Sequence, residues 1–165
     1  MSFRILRAGH ADWSVVRSIR LRSLADSPDA FARTLAEELP LSDEKWRSRI
    51  DNDRVAHFLA MTSDGDSVGI AVGAPHKGQK NTAGLFAMWV AAEARGRGIG
   101  SALVEAVVDW AQSERYQRIV LDVGKTNAPA VRLYESCGFV PTGKTSALPP
   151  PRQQIGEQQW EKLLG

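Results

Sequence analysis

Two glycine-rich strings in this chain have residue types and spacing that could hold a phosphate. Residues 95–101 read RGRGIGS and residues 138–145 read GFVPTGKT. The second satisfies G-x-x-x-x-G-K-[ST], the pattern of a phosphate-binding loop. Such a loop works by presenting unpaired backbone amides, usually where a strand gives way to the first turn of a helix. Which string can do this depends on the elements around it.

GFVPTGKT lacks that setting. The preceding NAPAVRLYESC has helical spacing, so Gly138 reads as a left-handed helix stop with Phe139 as its hydrophobic contact. Pro141 has no amide to donate, and SALPPP after Thr145 cannot continue as a helix. A helix stop followed by a strand is expected. RGRGIGS follows the apolar run TAGLFAMWV and opens a stripe of Ile99, Ala102, Leu103, Ala106, Val107, Trp110 and Ala111. That stripe predicts a helix over 98–113. Its first amides lack internal partners and sit at the positive end of the helix dipole. Gly96, Gly98 and Gly100 clear space for an anion, and Arg95 and Arg97 add charge. A dinucleotide fingerprint is excluded, because Ser101 and Leu103 stand where its third glycine would fall.

The elements that position this cradle follow from pattern. FRILRA predicts a first strand, and Val15, Val16, Ile19 and Leu24 predict a helix with its arginines on the opposite side, broken at Ser27-Pro28. AFARTLAEELPLS reads as a loop with short helical turns. SDEKWRSRID reads as a helix capped by Ser42. VAHFLAMT and SVGIAVGAP flank the turn cluster SDGD, and TAGLFAMWV follows after GQKN, which predicts an antiparallel meander. The helix 98–113 then leads to the β-branched IVLDV, and strand–helix–strand favours parallel pairing. FVPTG and QQWEKLL predict two more strands, the last at the edge of the sheet and open to pairing across subunits. His57 and His76 flank strands and read as surface residues. The fold class expected is mixed α/β: a twisted, mostly antiparallel sheet of six or seven strands with about four helices.

Bulk properties narrow the function classes. The 165 residues suit one domain over 1–165, with 43% hydrophobic and 24% charged residues. The net charge of +2, from 21 basic and 19 acidic residues, gives no argument for a nucleic-acid partner. Cys137 is the single cysteine, and no run reaches the ~20 apolar residues of a membrane span. With no secretory leader at the N-terminus, a cytoplasmic protein is expected. No cluster of residues suggests a metal.

WVAAEARGRGIGSALVEAVVDWA resembles the coenzyme-binding motif of the GNAT superfamily of N-acetyltransferases, with Arg95, Gly98 and Gly100 matching [QR]-x-x-G-x-[GA]. NAPAVRLYESCGF is similar to a second family motif, matched by Asn127, Ala130, Leu133, Tyr134, Gly138 and Phe139. Together the motifs cover about one third of the chain. The resemblance implies acetyl-coenzyme A as cosubstrate, without a metal, and direct transfer of its acetyl group to a primary amine of a small molecule or peptide. It also implies that two parallel strands of the sheet splay apart. The backbone of Arg95, Gly96, Arg97, Gly98, Ile99, Gly100 and Ser101 would hold the pyrophosphate. The main chain of Met88 and Val90 would bond the pantetheine arm and offer the oxyanion donor. Asn127 would contact the coenzyme or cap its helix, and Tyr134 would protonate the leaving thiolate.

The amine must lose a proton before it attacks, since an alkylammonium has a pKa near ~10.4. TAGLFAMWV carries no acid or histidine, where many relatives have a glutamate. Candidates for the acceptor side are Asp122, which interrupts IVLDV, together with Phe31, Glu37 and Glu38 in the loop after the first helix. The missing strand acid leaves an alternative: a non-catalytic module that binds acyl-coenzyme A as a sensor.

Overall fold

A computed structural model describes residues 2–165. The strands are β1 (Phe3–Arg7), β2 (Ala56–Thr62), β3 (Ser67–Pro75), β4 (Thr82–Val90), β5 (Arg118–Gly124), β6 (Val140–Ala147) and β7 (Gly156–Leu163). The helices are α1 (Trp13–Asp26), the single turn α2 (Leu35–Glu38), α3 (Asp43–Asp51), α4 (Ile99–Ser113) and α5 (Ala128–Ser136). All seven strands join one sheet in the order β1-β2-β3-β4-β5-β7-β6. Every pairing is antiparallel except β4 with β5. Among the described residues no helix is long and apolar enough to cross a membrane.

β7 is not an edge strand. It lies between β5 and β6, with Leu121 opposite Trp160 on one side and Pro141 opposite Trp160 on the other. Trp160 and Gln159 are buried, whereas β6 is exposed along most of its length. A strand that buries an indole needs cover on both flanks, so the polar β6 takes the edge. GFVPTGKT is accordingly no phosphate loop: Gly138 stops α5 at φ +89°, and residues 140–147 are strand.

The two faces of the sheet are set by close approaches. On β3, a Cβ on Gly73 would stand 2.5 Å from Trp110 Cε3, and one on Gly69 would stand 2.9 Å from Leu103 Cδ1. Both glycines let α4 lie flat against the sheet, so its apolar stripe is buried at Ile99, Leu103, Val107, Trp110 and Ala111. The opposite face carries α1 and α3. There Trp89, paired with Ile70, donates its Nε1–H to Asp26 of α1 at 3.1 Å.

Two sequence expectations change on that second face. His57 is 9% exposed, because β2 is buried along its whole length. Burial, then the nearby Arg49 charge, pushes its pKa down to about 4, so the ring is held neutral. The arginines of α1 are not all turned outward either. Arg20 is mostly buried, its guanidinium 4.9 Å above the Phe31 ring and its Nε 2.8 Å from Glu38 Oε1.

Candidate active site

The site begins where β4 and β5 part. Their parallel pairing covers only Thr82–Gly84 with Arg118–Val120. From Leu85 onward the strands diverge, and the edge of β4 facing β5 is left open. A bulge shapes this stretch: Ala87 has φ +56°, and the β3 register skips between Ile70 and Val72. The extra residue reverses the alternation of side chains. Upstream of it Phe86 faces the α1 side, lying over Gly84, whose added Cβ would be 2.4 Å from the ring. Downstream, Met88 faces α4, its Cε 3.5 Å from the Cβ position of Gly100.

Backbone groups alternate as well. Ala91 N–H bonds Val68 O at 2.8 Å, so the neighbouring Val90 turns its amide and carbonyl to the open edge. The Val90 carbonyl is met by Arg95 Nε at 2.9 Å, which leaves the amide free for an arriving strand-like ligand. Arg95 also reaches Asp26 at 3.2 Å. Its charge therefore braces the turn between β4 and α4, and Arg97 remains exposed at the tip.

The cradle has the required backbone. Gly96 and Gly98 have φ +77° and +83°, a region that L side chains rarely adopt, and nothing lies within 4 Å of an added Cβ at either. Gly98 caps α4, and the first amide to bond back into the helix is Ala102 N–H to Gly98 O at 3.1 Å. The amides of Ile99, Gly100 and Ser101 thus precede the helical ladder and face outward. Gly100 sits where α4, β4 and α5 meet, its Cβ position 3.2 Å from Leu133 Cδ2.

α5 lies on the α4 face of the sheet. Gly138, just past its end, packs against Lys162, whose β7 position pairs with Ile119. Asn127 caps α5 through Oδ1, which accepts Ala130 N–H at 3.4 Å. Tyr134 is 6% exposed, with its ring 6.0 Å from that of Phe139. Among the described residues no hydrogen bond reaches its hydroxyl. Burial, then the neighbouring Cys137, drives its pKa well above the ordinary phenol value, so the proton is held firmly.

The α1 face of β5 supplies carboxylates. Val120 pairs with Gly84, which places Asp122 on the same face as Phe86 and two residues beyond the last β4–β5 pair. Asp122 pairs with Gln159, and Gly124 with Glu157, so Glu157 stands diagonally beside Asp122. Asp122 is exposed as a residue, but protein packed around it removes enough water from its carboxyl to push the pKa up, partly offset by His76. The Glu157 carboxyl is pushed up by burial and then by the charge of Asp122, partly offset by Arg152.

Glu157 and Arg152 are absent from the sequence expectations. Their part depends on β7 being interior, which brings residue 157 beside residue 122. The alternation Glu157-x-Gln159-x-Glu161 was the only local signal of a polar strand face.

The acceptor-side loop divides its acids differently. Glu37 closes a capping box with Thr34: its Oε1 accepts Thr34 N–H at 2.9 Å, and its own N–H donates to Thr34 Oγ1 at 3.2 Å. Glu38 is 1% exposed and bonded by Arg20 at 2.8 Å and Arg49 at 2.7 Å. Burial alone would raise its carboxyl, but hydrogen bonds from Arg49 and Arg20 hold it below the usual range. Both acids therefore serve the loop's own structure. Phe31, in the same loop, is 8% exposed under Arg20.

This architecture has known counterparts. The model of the acetyltransferase (GNAT) family matches residues 20–139. The L-amino acid N-acetyltransferase AaaT of Escherichia coli is 29% identical over 148 residues, covering 87% of this chain and 88% of that protein. The mycothiol acetyltransferase of Acidothermus cellulolyticus is 31% identical over 152 residues, covering 84% of this chain, which spans only 44% of that protein's length. The fold also matches yncA of Salmonella typhimurium, solved with its cofactor acetyl-CoA, at a TM-score of 0.82 and 16% identity over 100% of this chain and 95% of that one. The match to the family model spans the open β4 edge, the glycine cradle and α5, and this chain belongs to the GNAT family of acetyltransferases.

Proposed function

We propose that this protein transfers the acetyl group of acetyl-coenzyme A directly to a primary amine of a small molecule or peptide. The observation that carries the reading is the open edge of β4 leading into an unobstructed, amide-lined helix start. The diphosphate would rest on the amides of residues 96–101, with Arg97 adding charge. The pantetheine arm would run along the edge at Met88 and Val90, and the free Val90 amide would donate to it or to the thioester oxygen.

The faces of the sheet divide the proton transfers. Tyr134 lies on the α4 face, and Asp122 on the α1 face, with the gap between β4 and β5 separating them. The amine would enter from the α1 side, losing its proton to Asp122 directly or through water, with Glu157 as a neighbouring relay. Nitrogen would add to the carbonyl carbon, the carbon–sulfur bond would break, and Tyr134 would hydrogen-bond and protonate the departing sulfur. Asp122 would fill the place of the acid that β4 lacks. The name of the Escherichia coli relative makes amino-acid amines a first class of acceptor to try.

The test is release of coenzyme thiol from acetyl-coenzyme A in the presence of amino acids, alkylamines and short peptides. At least one class is expected to support turnover, and Asp122→Asn is expected to lower kcat roughly 10²-fold, the lower range for a lost general base. A base acts only when ionised, so the acid limb of kcat/KM should follow the carboxyl of Asp122, above the ordinary aspartate value. Coenzyme binding without thiol release for every amine would instead establish the non-catalytic module.

A further inference from the structure

The connection between β6 and β7 carries one residue whose contacts span most of the chain. Arg152 Nη1 donates to Pro28 O at 2.6 Å and Phe31 O at 2.9 Å, and Nη2 donates to Ala32 O at 2.9 Å. Three carbonyls of a single turn are thus collected by one planar fork. The turn belongs to the segment between α1 and α2, where Phe31 is buried under Arg20 and Arg20 pairs with buried Glu38. Five residues after Arg152 comes Glu157, beside Asp122 on β5.

We infer that Arg152 is a positioning residue that latches the turn at residues 28–32 onto the β6–β7 connection, setting affinity for the amine and not for the coenzyme. This rests on the acyl-transfer reading for its consequence, though the latch itself does not. The α1–α2 turn follows α1, which lies on the Trp89 face of the sheet, and the β6–β7 connection leads into Glu157, which stands beside Asp122 on that face and feels the Arg152 charge. Among the described residues, the hydrogen bonds between the two segments all come from this guanidinium. Three of its five N–H donors are engaged by main-chain oxygens, so most of the guanidinium works as a strut between the two segments. A fork satisfies three carbonyls at fixed angles, which an ammonium on a flexible stem reproduces poorly. The coenzyme cradle lies at the N-terminus of α4 and shares no hydrogen bond with Arg152 among the described residues.

The experiment compares Arg152→Ala, Arg152→Gln and Arg152→Lys with the parent protein in three readouts. The first is amide hydrogen exchange at residues 28–38 and 95–101. Protection at 28–38 should fall about ten-fold or more in Arg152→Ala, in keeping with the loss of charge-assisted hydrogen bonds, and less in Arg152→Lys. Protection at 95–101 should stay unchanged. The second is the amine KM, expected to rise about ten-fold on the same scale. The third is the acetyl-coenzyme A Kd, expected to stay within about two-fold of the parent value. Unchanged exchange at 28–38 would overturn the latch, and so would a matched rise in amine KM and coenzyme Kd. Arg152→Gln keeps the inference testable if the alanine variant fails to fold. If no amine is turned over at all, the acyl-transfer reading fails, and the exchange data alone decide whether the latch exists.

Discussion

Tyr134→Phe should lower kcat by roughly 10² to 10⁴, the range for a lost proton donor, while the acetyl-coenzyme A Kd stays unchanged. The substitution isolates chemistry from folding unusually well. The Tyr134 hydroxyl has no hydrogen-bond partner among the described residues, so removing it strands no buried group. The phenylalanine ring keeps its contact with Phe139. The phenol is protonated at working pH and can donate a hydrogen bond to the sulfur as its bond to carbon breaks. The raised pKa makes it a weaker acid, so full transfer of the proton follows only as charge builds on the sulfur. Steady-state thiol release and a coenzyme titration, run side by side, read the two quantities separately. An unchanged kcat would place the leaving-group proton elsewhere.

Glu38→Ala should remove about 3–5 kcal/mol of stability, the cost of stranding buried charge. Glu38 is 1% exposed, and deleting it would leave Arg20 and Arg49 without their shared carboxylate beneath α1, α2 and α3. The pH dependence follows from direction. The Glu38 carboxyl is depressed in the fold, so its contribution is present above the ordinary value of 4.5 and is lost as pH falls through the folded value. A urea titration at neutral pH should show a lower midpoint in the variant, and the gap should narrow in acid. A neutral-pH loss under about 1 kcal/mol, the scale of surface ion pairs, would contradict this.

Local pattern and long-range pairing divide what the sequence made legible. The cradle was readable because glycine spacing, the preceding apolar strand and the stripe from Ile99 to Ala111 are contiguous. The stop at Gly138 was readable for the same reason, and it disposed of GFVPTGKT. The parallel pair was inferred from strand–helix–strand order, and its short register agrees with the expected splay. The interior place of β7 was not readable, because strand order beyond β5 depends on which polar strand can cover Trp160. That one misplacement hid Glu157, whose proximity to Asp122 exists only when β7 pairs with β5. Arg152 was hidden similarly, since its three carbonyl partners lie at least 120 positions away. The structural duty of Glu37 was legible in principle. Thr34-x-x-Glu37 is a capping-box signature, and it gives that carboxylate a structural duty of its own. Glu38, one residue on, gives no such sign, because its burial arises only from the assembly of three helices.

Amides at the start of α4 are proposed to hold the diphosphate of the coenzyme. Calorimetric titration with acetyl-coenzyme A and with acetyl-pantetheine, which lacks the nucleotide and its diphosphate, tests this directly. Saturable one-to-one binding is predicted for the intact coenzyme, with the truncated compound weaker by roughly 10²-fold or more, on the scale of several charge-assisted hydrogen bonds. Equal affinity for the two, or no heat with intact acetyl-coenzyme A, would contradict it.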